Sequence, residues 1–217
     1  MLKIVVFDSG YGGELFADYL EKELGVVEII RVIDWRNAKI FLENPREARK
    51  KAEAALRPYL NEVDLIFFAN HLLSITSLKY FRRRYKNQKF LALKLPNPKN
   101  YQASHTLILT TKLLTKTISF HNYLFRFKAE KKVLALDSWP TLIDDGELTR
   151  DEILTKLYPL KSFDPETIIL ACSQFGDIKS ELKLAFNKNL KILDSFEDSS
   201  REICKVLKIR GGLGKRK

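Results

Sequence analysis

The sequence predicts an α/β protein built from parallel sheets with helices on both faces, in two halves of similar size. Three observations carry this. Short apolar runs rich in β-branched residues alternate with stretches of helical periodicity. Several of those runs are unbroken by polar residues, as strands buried on both faces are. After a stiff Pro96-Asn97-Pro98-Lys99-Asn100 connector the alternation begins again. Two such halves most naturally hold a ligand in the cleft between them. No residue-level repeat relates them, so the duplication is architectural. The expected domains are 1–96 with about 205–217, and 97–204.

In the first half, Lys3 to Phe7 is a strand, followed at once by Asp8, Ser9, Gly10, Gly12 and Gly13. Ligands of open α/β sheets sit at the carboxyl ends of strands, where glycines let the backbone approach and helix-start amides attract anions. A helical pattern runs from Glu14 to Leu24, and Gly25 ends it. Val27 to Ile33 is a second strand. Asn44 caps a helix with Pro45 at its first position, running to about Leu60. Val63 to Ala69 is a third strand with Asn70, His71 and Ser74 at or past its end. A helix to about Tyr85 and a strand from Lys89 to Leu93 complete the half.

In the second half, Thr106 to Thr111 is a strand, followed by a helix to about Phe120. Lys132 to Leu136 is a strand. Asp137-Ser138-Trp139-Pro140 breaks the chain before an acidic turn, Asp144-Asp145-Gly146. Thr149 and Glu152 form a capping box for a helix to Tyr158. Thr167 to Ala171 is a strand ending in Cys172-Ser173-Gln174. A helix covers Ile178 to Phe186 and a short strand Leu190 to Leu193. Asp194-Ser195 opens the last helix, which carries Cys204 on an apolar face.

Composition bounds the function. The 217 residues are 45% hydrophobic and 30% charged, enough for a sizeable core. No apolar run is long enough to span a bilayer and no signal segment opens the chain, so a cytoplasmic protein with no membrane partner is expected. Two cysteines do not make a disulfide framework. A net charge of +11 attracts anions and gives non-specific nucleic-acid binding a physical basis. The clusters Arg82-Arg83-Arg84 and Lys215-Arg216-Lys217 are explained as well by a solvated face and a frayed tail.

Three strand ends are candidate chemistry: Asp8-Ser9, Ala69-Asn70-His71 and Cys172-Ser173-Gln174. A cysteine between a strand end and a helix start has its thiolate favoured, and a thiolate is a base or a nucleophile. Packing as a small apolar residue is the alternative for Cys172. Asp8 and Ser9 also serve to close a turn, and Asn70 and Ser173 are equally good helix caps.

These segments resemble the glutamate racemases of the aspartate/glutamate racemase superfamily. Phe7-Asp8-Ser9-Gly10-Tyr11-Gly12-Gly13 is similar to the family's opening F-D-S-G-x-G-G. Asp34 falls on the Asp of G-D-T-A, Ala69-Asn70-His71 on C-N-T, and Ile169 to Phe175 on the segment containing L-G-C-T-H-Y. Pro140 to Gly146 resembles P-L-V-E-E-G, and Asp194-Ser195 the late D-S-G or D-S-A. The order holds along nearly the whole chain.

The resemblance implies two flavodoxin-like domains with the substrate cleft between them. It implies racemisation with no metal and no cofactor, in which two cysteines on opposite faces exchange the α-proton of an amino acid. The substrate class is a small amino acid or dicarboxylate. Glutamate would give D-glutamate for peptidoglycan. Family members are often homodimers. Cys172 and Asp8 are the catalytic candidates so implied, with Ser9, Asn70, Thr111, Ser173, Gln174 and Asp144 around the substrate. The first cysteine position holds Ala69, the histidine after the second cysteine is Gln174, and P-Y-G aligns with Lys39-Ile40-Phe41. Ala69 has no proton to exchange, so two-thiol racemisation is expected to be weak or absent. His71, beside the missing thiol, is the candidate substitute base. A single-cysteine decarboxylase of the same superfamily and a non-catalytic binding protein with a basic surface are the alternatives.

Overall fold

The computed structural model describes residues 1–25, 27–98, 104–128, 130–186 and 189–209. Lys99 and Asn100 of the connector and the Lys215-Arg216-Lys217 cluster lie outside them. The chain gathers into two compact units, Met1–Lys94 with Ser195 onward, and Leu95–Asp194.

The first unit contains β1 (Leu2–Asp8), α1 (Tyr11–Leu24), β2 (Val27–Ile33), α2 (Ala38–Glu43), α3 (Pro45–Leu56), β3 (Leu65–Phe68), α4 (His71–Arg84) and β4 (Phe90–Ala92). Its sheet is parallel throughout, in the order β2-β1-β3-β4. β1 is paired along both edges and buried on both faces from Ile4 onward, so Ile4 to Phe7 are all apolar. Its side chains alternate between two cores, as strand geometry requires. Ile4 and Val6 pack with Phe16 and Leu20 of α1, while Val5 and Phe7 pack with α3 and α4 residues such as Ala52 and Phe81.

The second unit repeats the plan: β5 (His105–Thr110), α5 (Lys112–Thr115), α6 (Ile118–Leu124), β6 (Glu130–Ala135), α7 (Trp139–Asp144), α8 (Arg150–Leu157), β7 (Thr167–Leu170), α9 (Lys179–Ala185) and β8 (Lys191–Leu193). Its parallel sheet has the order β6-β5-β7-β8. The last element among the described residues is α10 (Phe196–Leu207). Among the described residues, no helix is long and apolar enough to cross a membrane.

Several expectations are corrected. The glycine loop is shorter than expected, because α1 begins at Tyr11 and takes Gly12 and Gly13 into its first turn. Lys39-Ile40-Phe41 is helical, and Phe41 is buried with its ring 5.7 Å from that of Phe7. The helix after β5 is two helices, since Thr117 caps α6 through Phe120 N–H. Trp139-Pro140 does not break the chain: Pro140 lies in the first turn of α7, where a missing N–H costs nothing. The last helix belongs whole to the first unit from Ser195, about ten residues before the expected return. Phe196 and Ile203 join the α1 core, with Phe196 and Phe16 edge-to-face at 5.0 Å. The predicted capping box at Thr149 and Glu152 and the Asn44 cap before Pro45 are both formed.

Candidate active site

β1 and β3 are neighbours, but the chain leaves β1 for a helix on one face and β3 for a helix on the other. Such a switch point opens a crevice at the carboxyl ends of the strands. Asp8, Ser9 and Asn70 meet there. Asp8 is fully buried, and its Oδ1 accepts from Ser9 N–H at 2.7 Å and from Asn70 Nδ2 at 3.0 Å. The same Nδ2 lies 3.3 Å from Ser9 Oγ. Asn70 Oδ1 accepts from Leu73 N–H at 2.9 Å and caps α4. The two ends of the amide thus have fixed and different partners. A Cβ on Gly13 would stand 2.5 Å from Asp8 Cβ and 2.7 Å from Ile33 Cδ1. The bare first turn of α1 is what lets Asp8 occupy this place.

His71 is the first residue of α4 and buried, with Nε2 2.9 Å from Ser195 Oγ at the start of α10. Its pairing with Ser195 was not foreseen from sequence, since the two residues are far apart in the chain. Asp34 closes its own turn: its carboxylate takes Asn37 Nδ2 at 2.8 and 2.9 Å, and its N–H donates to Asp8 O at 2.9 Å.

In the second unit β5 and β7 form the equivalent switch point. Cys172, Ser173 and Gln174 are all buried. Cys172 Sγ donates to Gln174 Oε1 at 3.0 Å, and Ser173 Oγ donates to the same oxygen at 3.3 Å. Gln174 Nε2 makes a long 3.5 Å contact to Asp144 Oδ2. Asp144 is the last residue of α7 and half-buried. Ser173 is not a cap: Cys172 holds the cap position of a short 3-10 turn over Ser173–Gly176. Thr111 is at the cap position of α5 without a side-chain cap bond, and Asp137 Oδ1 instead accepts from Lys112 N–H at 2.5 Å. Asp137 was missed in the sequence, although it is the first polar residue after its strand.

The two sheets can be compared through their own registers. Phe68 pairs with Phe7, and Leu170 with Leu109. Ala69 N–H donates to Phe7 O and Ala171 N–H to Leu109 O, each at 2.8 Å. Ala69 and Ala171 are thus counterparts, and so are Asn70 and Cys172. The last two each hold the cap position of the following helical turn.

The basic surface is partly structural. Arg82 donates to Phe90 O through Nε and Nη2, at 2.9 and 2.7 Å, and Arg84 Nε reaches Glu53 at 2.7 Å. Cations in the last turn of α4 also complement its dipole. Cys204 is half-buried in the α1 core, where burial pushes its thiol up, as the core reading expects.

This fold is that of solved glutamate and aspartate racemase structures. The structure of Escherichia coli glutamate racemase in complex with L-glutamate and the activator UDP-MurNAc-ala matches it with a TM-score of 0.87, at 18% identity over 99% of this chain and 84% of that one. A Pyrococcus horikoshii aspartate racemase homologue matches at 0.56, with 19% identity over 96% of this chain and 100% of that one. No family model matches the sequence. Individual relatives do: the glutamate racemase of Aliarcobacter butzleri is 23% identical over 97% of this chain and 85% of its own length, and that of Mycobacterium leprae 24% over 95% and 79%. In sequence and in fold the chain is thus similar to the glutamate racemases.

Proposed function

We propose that this protein acts at the α-carbon of a small amino acid or dicarboxylate with one proton-transferring thiol, Cys172, and that two-thiol racemisation is absent or very slow. The observation that carries this is Ala69. It stands where the resemblance puts the first thiol, it is fully buried, and it has nothing to ionise. Asp8, Ser9 and Asn70 are the groups proposed to hold the charged ends of the substrate, with Thr111, Ser173 and Gln174 as further polar contacts and no cofactor or metal required.

The test is deuterium exchange at the α-carbon of L- and D-glutamate in D2O. Exchange confined to one enantiomer, without racemisation and lost in Cys172→Ala, is the expected result. Robust racemisation in both directions, abolished by His71→Ala, overturns it and makes His71 the second base.

A second reading is favoured by the direction of the Cys172 hydrogen bond, in which the thiol is a donor. A thiol poised as a donor suits a carbanion formed by loss of carbon dioxide. The C–C electron pair stays on the α-carbon. The Cys172 S–H bond breaks, its proton forms the new C–H bond, and the pair remains on sulphur as thiolate. Water restores the thiol, and the hydroxide left converts carbon dioxide to bicarbonate. Carbon dioxide release from 2-substituted malonates, lost in Cys172→Ala, is expected on this reading; a panel of such acids with no turnover removes it.

A further inference from the structure

The departure of Gln174 from the family pattern is not a simple loss of an acid–base group, because its amide has a fixed polarity. Oε1 takes two donors, the Cys172 thiol at 3.0 Å and the Ser173 hydroxyl at 3.3 Å, and Nε2 is directed at the Asp144 carboxylate. Turning the amide over would bring its oxygen against the Asp144 carboxylate, an acceptor-only group, so that contact fixes the orientation, and the thiol and the hydroxyl donate to the oxygen it leaves. A carbonyl oxygen accepts from a thiol but repels a thiolate, so this orientation stabilises one protonation state of sulphur over the other. Asp144 is 30 positions from Gln174 and reaches it because α7 packs on the 3-10 turn.

We propose that Asp144 and Gln174 are positioning residues that hold Cys172 as a neutral thiol, so that its task is to give a proton rather than to take one. The inference rests on the second, decarboxylating reading above and deepens it: it favours a substrate whose carbanion is made by breaking a carbon–carbon bond over one that must be deprotonated, and Cys172-dependent exchange at the α-carbon of glutamate counts against it. Asp144 acts through Gln174, and Gln174 through the thiol. The other charged groups on the elements around this loop in the second unit are Asp137 ahead of α7, Asp145 after it, Asp177 after the 3-10 turn, and the Lys179–Asp194 pair.

The experiment titrates the thiolate of Cys172 by its ultraviolet absorbance, as the difference between the full chain and its Cys172→Ala variant, which also cancels Cys204. It needs no substrate. In the wild-type protein the midpoint is expected above that of a free cysteine, about 8.5. Asp144→Asn releases the amide to present its N–H groups to sulphur, and the thiolate fraction at pH 8 is expected to rise at least about threefold, roughly half a pH unit. Gln174→Glu, nearly the same shape, is expected to move the midpoint the other way. Because the two shifts have opposite signs, either variant suffices if the other does not fold. A wild-type midpoint below that of free cysteine overturns the proposal, as does a midpoint unmoved in a folded variant. The function reading fails separately: turnover on malonates can be absent while the titration behaves as expected, and the titration can fail while turnover is present.

Discussion

Asn70 is where the strand-end loop of the first unit is most exposed to attack by mutation, because one amide serves two structures. Its oxygen caps α4 and its nitrogen holds the buried carboxylate of Asp8. Asn70→Ala removes both. Loss of a cap costs about 1 kcal/mol, and loss of a hydrogen bond to a buried charged group about 1.5–3 kcal/mol. The expected destabilisation is about 3 kcal/mol, or a fall of roughly 10 °C in the melting of the first unit. Asn70→Asp separates the two roles. It keeps a good capping oxygen but sets a second carboxylate where the donor was. Two charges about 3 Å apart repel by roughly 5 kcal/mol even at an effective dielectric constant near 20. At pH 7.5 Asn70→Asp is therefore expected to be less stable than Asn70→Ala. The folded variant takes up a proton more readily than its unfolded chain, so its stability rises as pH falls. By about pH 5 the order of the two variants is expected to reverse, one carboxyl then being protonated and able to donate. The assay is thermal unfolding followed by far-ultraviolet circular dichroism at the two pH values. Trp139, in a Trp35→Phe background, reports the second unit, which is expected to be unchanged. An Asn70→Asp protein as stable as wild type at pH 7.5, or an Asn70→Ala protein that loses less than about 1 kcal/mol, would refute the reasoning.

Three further outcomes follow from single contacts. Gly13→Ala gains up to about 1 kcal/mol of helix propensity but forces two sub-3 Å contacts, which typically cost about 1–3 kcal/mol; a net loss is expected in urea unfolding, and a gain would mean that α1 does not need to approach Asp8. At Glu53, burial pushes the carboxyl up, but the hydroxyls of Tyr85 and Tyr80 and the Arg84 guanidinium outweigh it and hold it below the ordinary value. Stability from that carboxylate is present above the unfolded-chain value, about 4.3, and is lost as pH falls through the folded one, so Glu53→Gln is expected to flatten the acid limb of a stability–pH curve. Asp177 is the reverse case: burial first and Glu181 second push its carboxyl up, so its ionisation opposes folding. Asp177→Asn is expected to raise the melting temperature of the second unit at pH 7 and to lose that advantage below about pH 4.

The strands were legible because β1, β3 and β7 are buried on both faces and read as unbroken apolar runs. The capping box at Thr149 and the Asn44-Pro45 start were legible because both signals are local. What failed was tertiary. Gly12 and Gly13 look like loop until the clash that a Cβ on Gly13 would make with Asp8 shows why the helix is bare there. Trp139-Pro140 looks like a break unless proline is counted in a first turn. The last helix follows β8 in sequence, yet its apolar stripe is matched to α1, and no local signal says which unit a stripe will cover. The pairing of Gln174 with Asp144 and of His71 with Ser195 spans long stretches of chain, which composition and spacing do not encode.

The counterpart relation between Asn70 and Cys172 gives these pairings a common form. In each unit a carboxylate meets the nitrogen of a side-chain amide beside the end of the third strand, Asp8 with Asn70 and Asp144 with Gln174. Fixing the nitrogen fixes where the oxygen goes. In the first unit the oxygen is given to a backbone N–H, and the result is a helix cap. In the second the cap position is occupied by cysteine, whose side chain makes no cap bond, and the amide oxygen goes to the thiol instead. The same device thus serves architecture in one half and sets a protonation state in the other. A histidine at 174, which the family pattern carries, presents either a donor or an acceptor depending on its own proton. Glutamine presents only what Asp144 leaves it, and on the proposed reading this keeps Cys172 a proton donor.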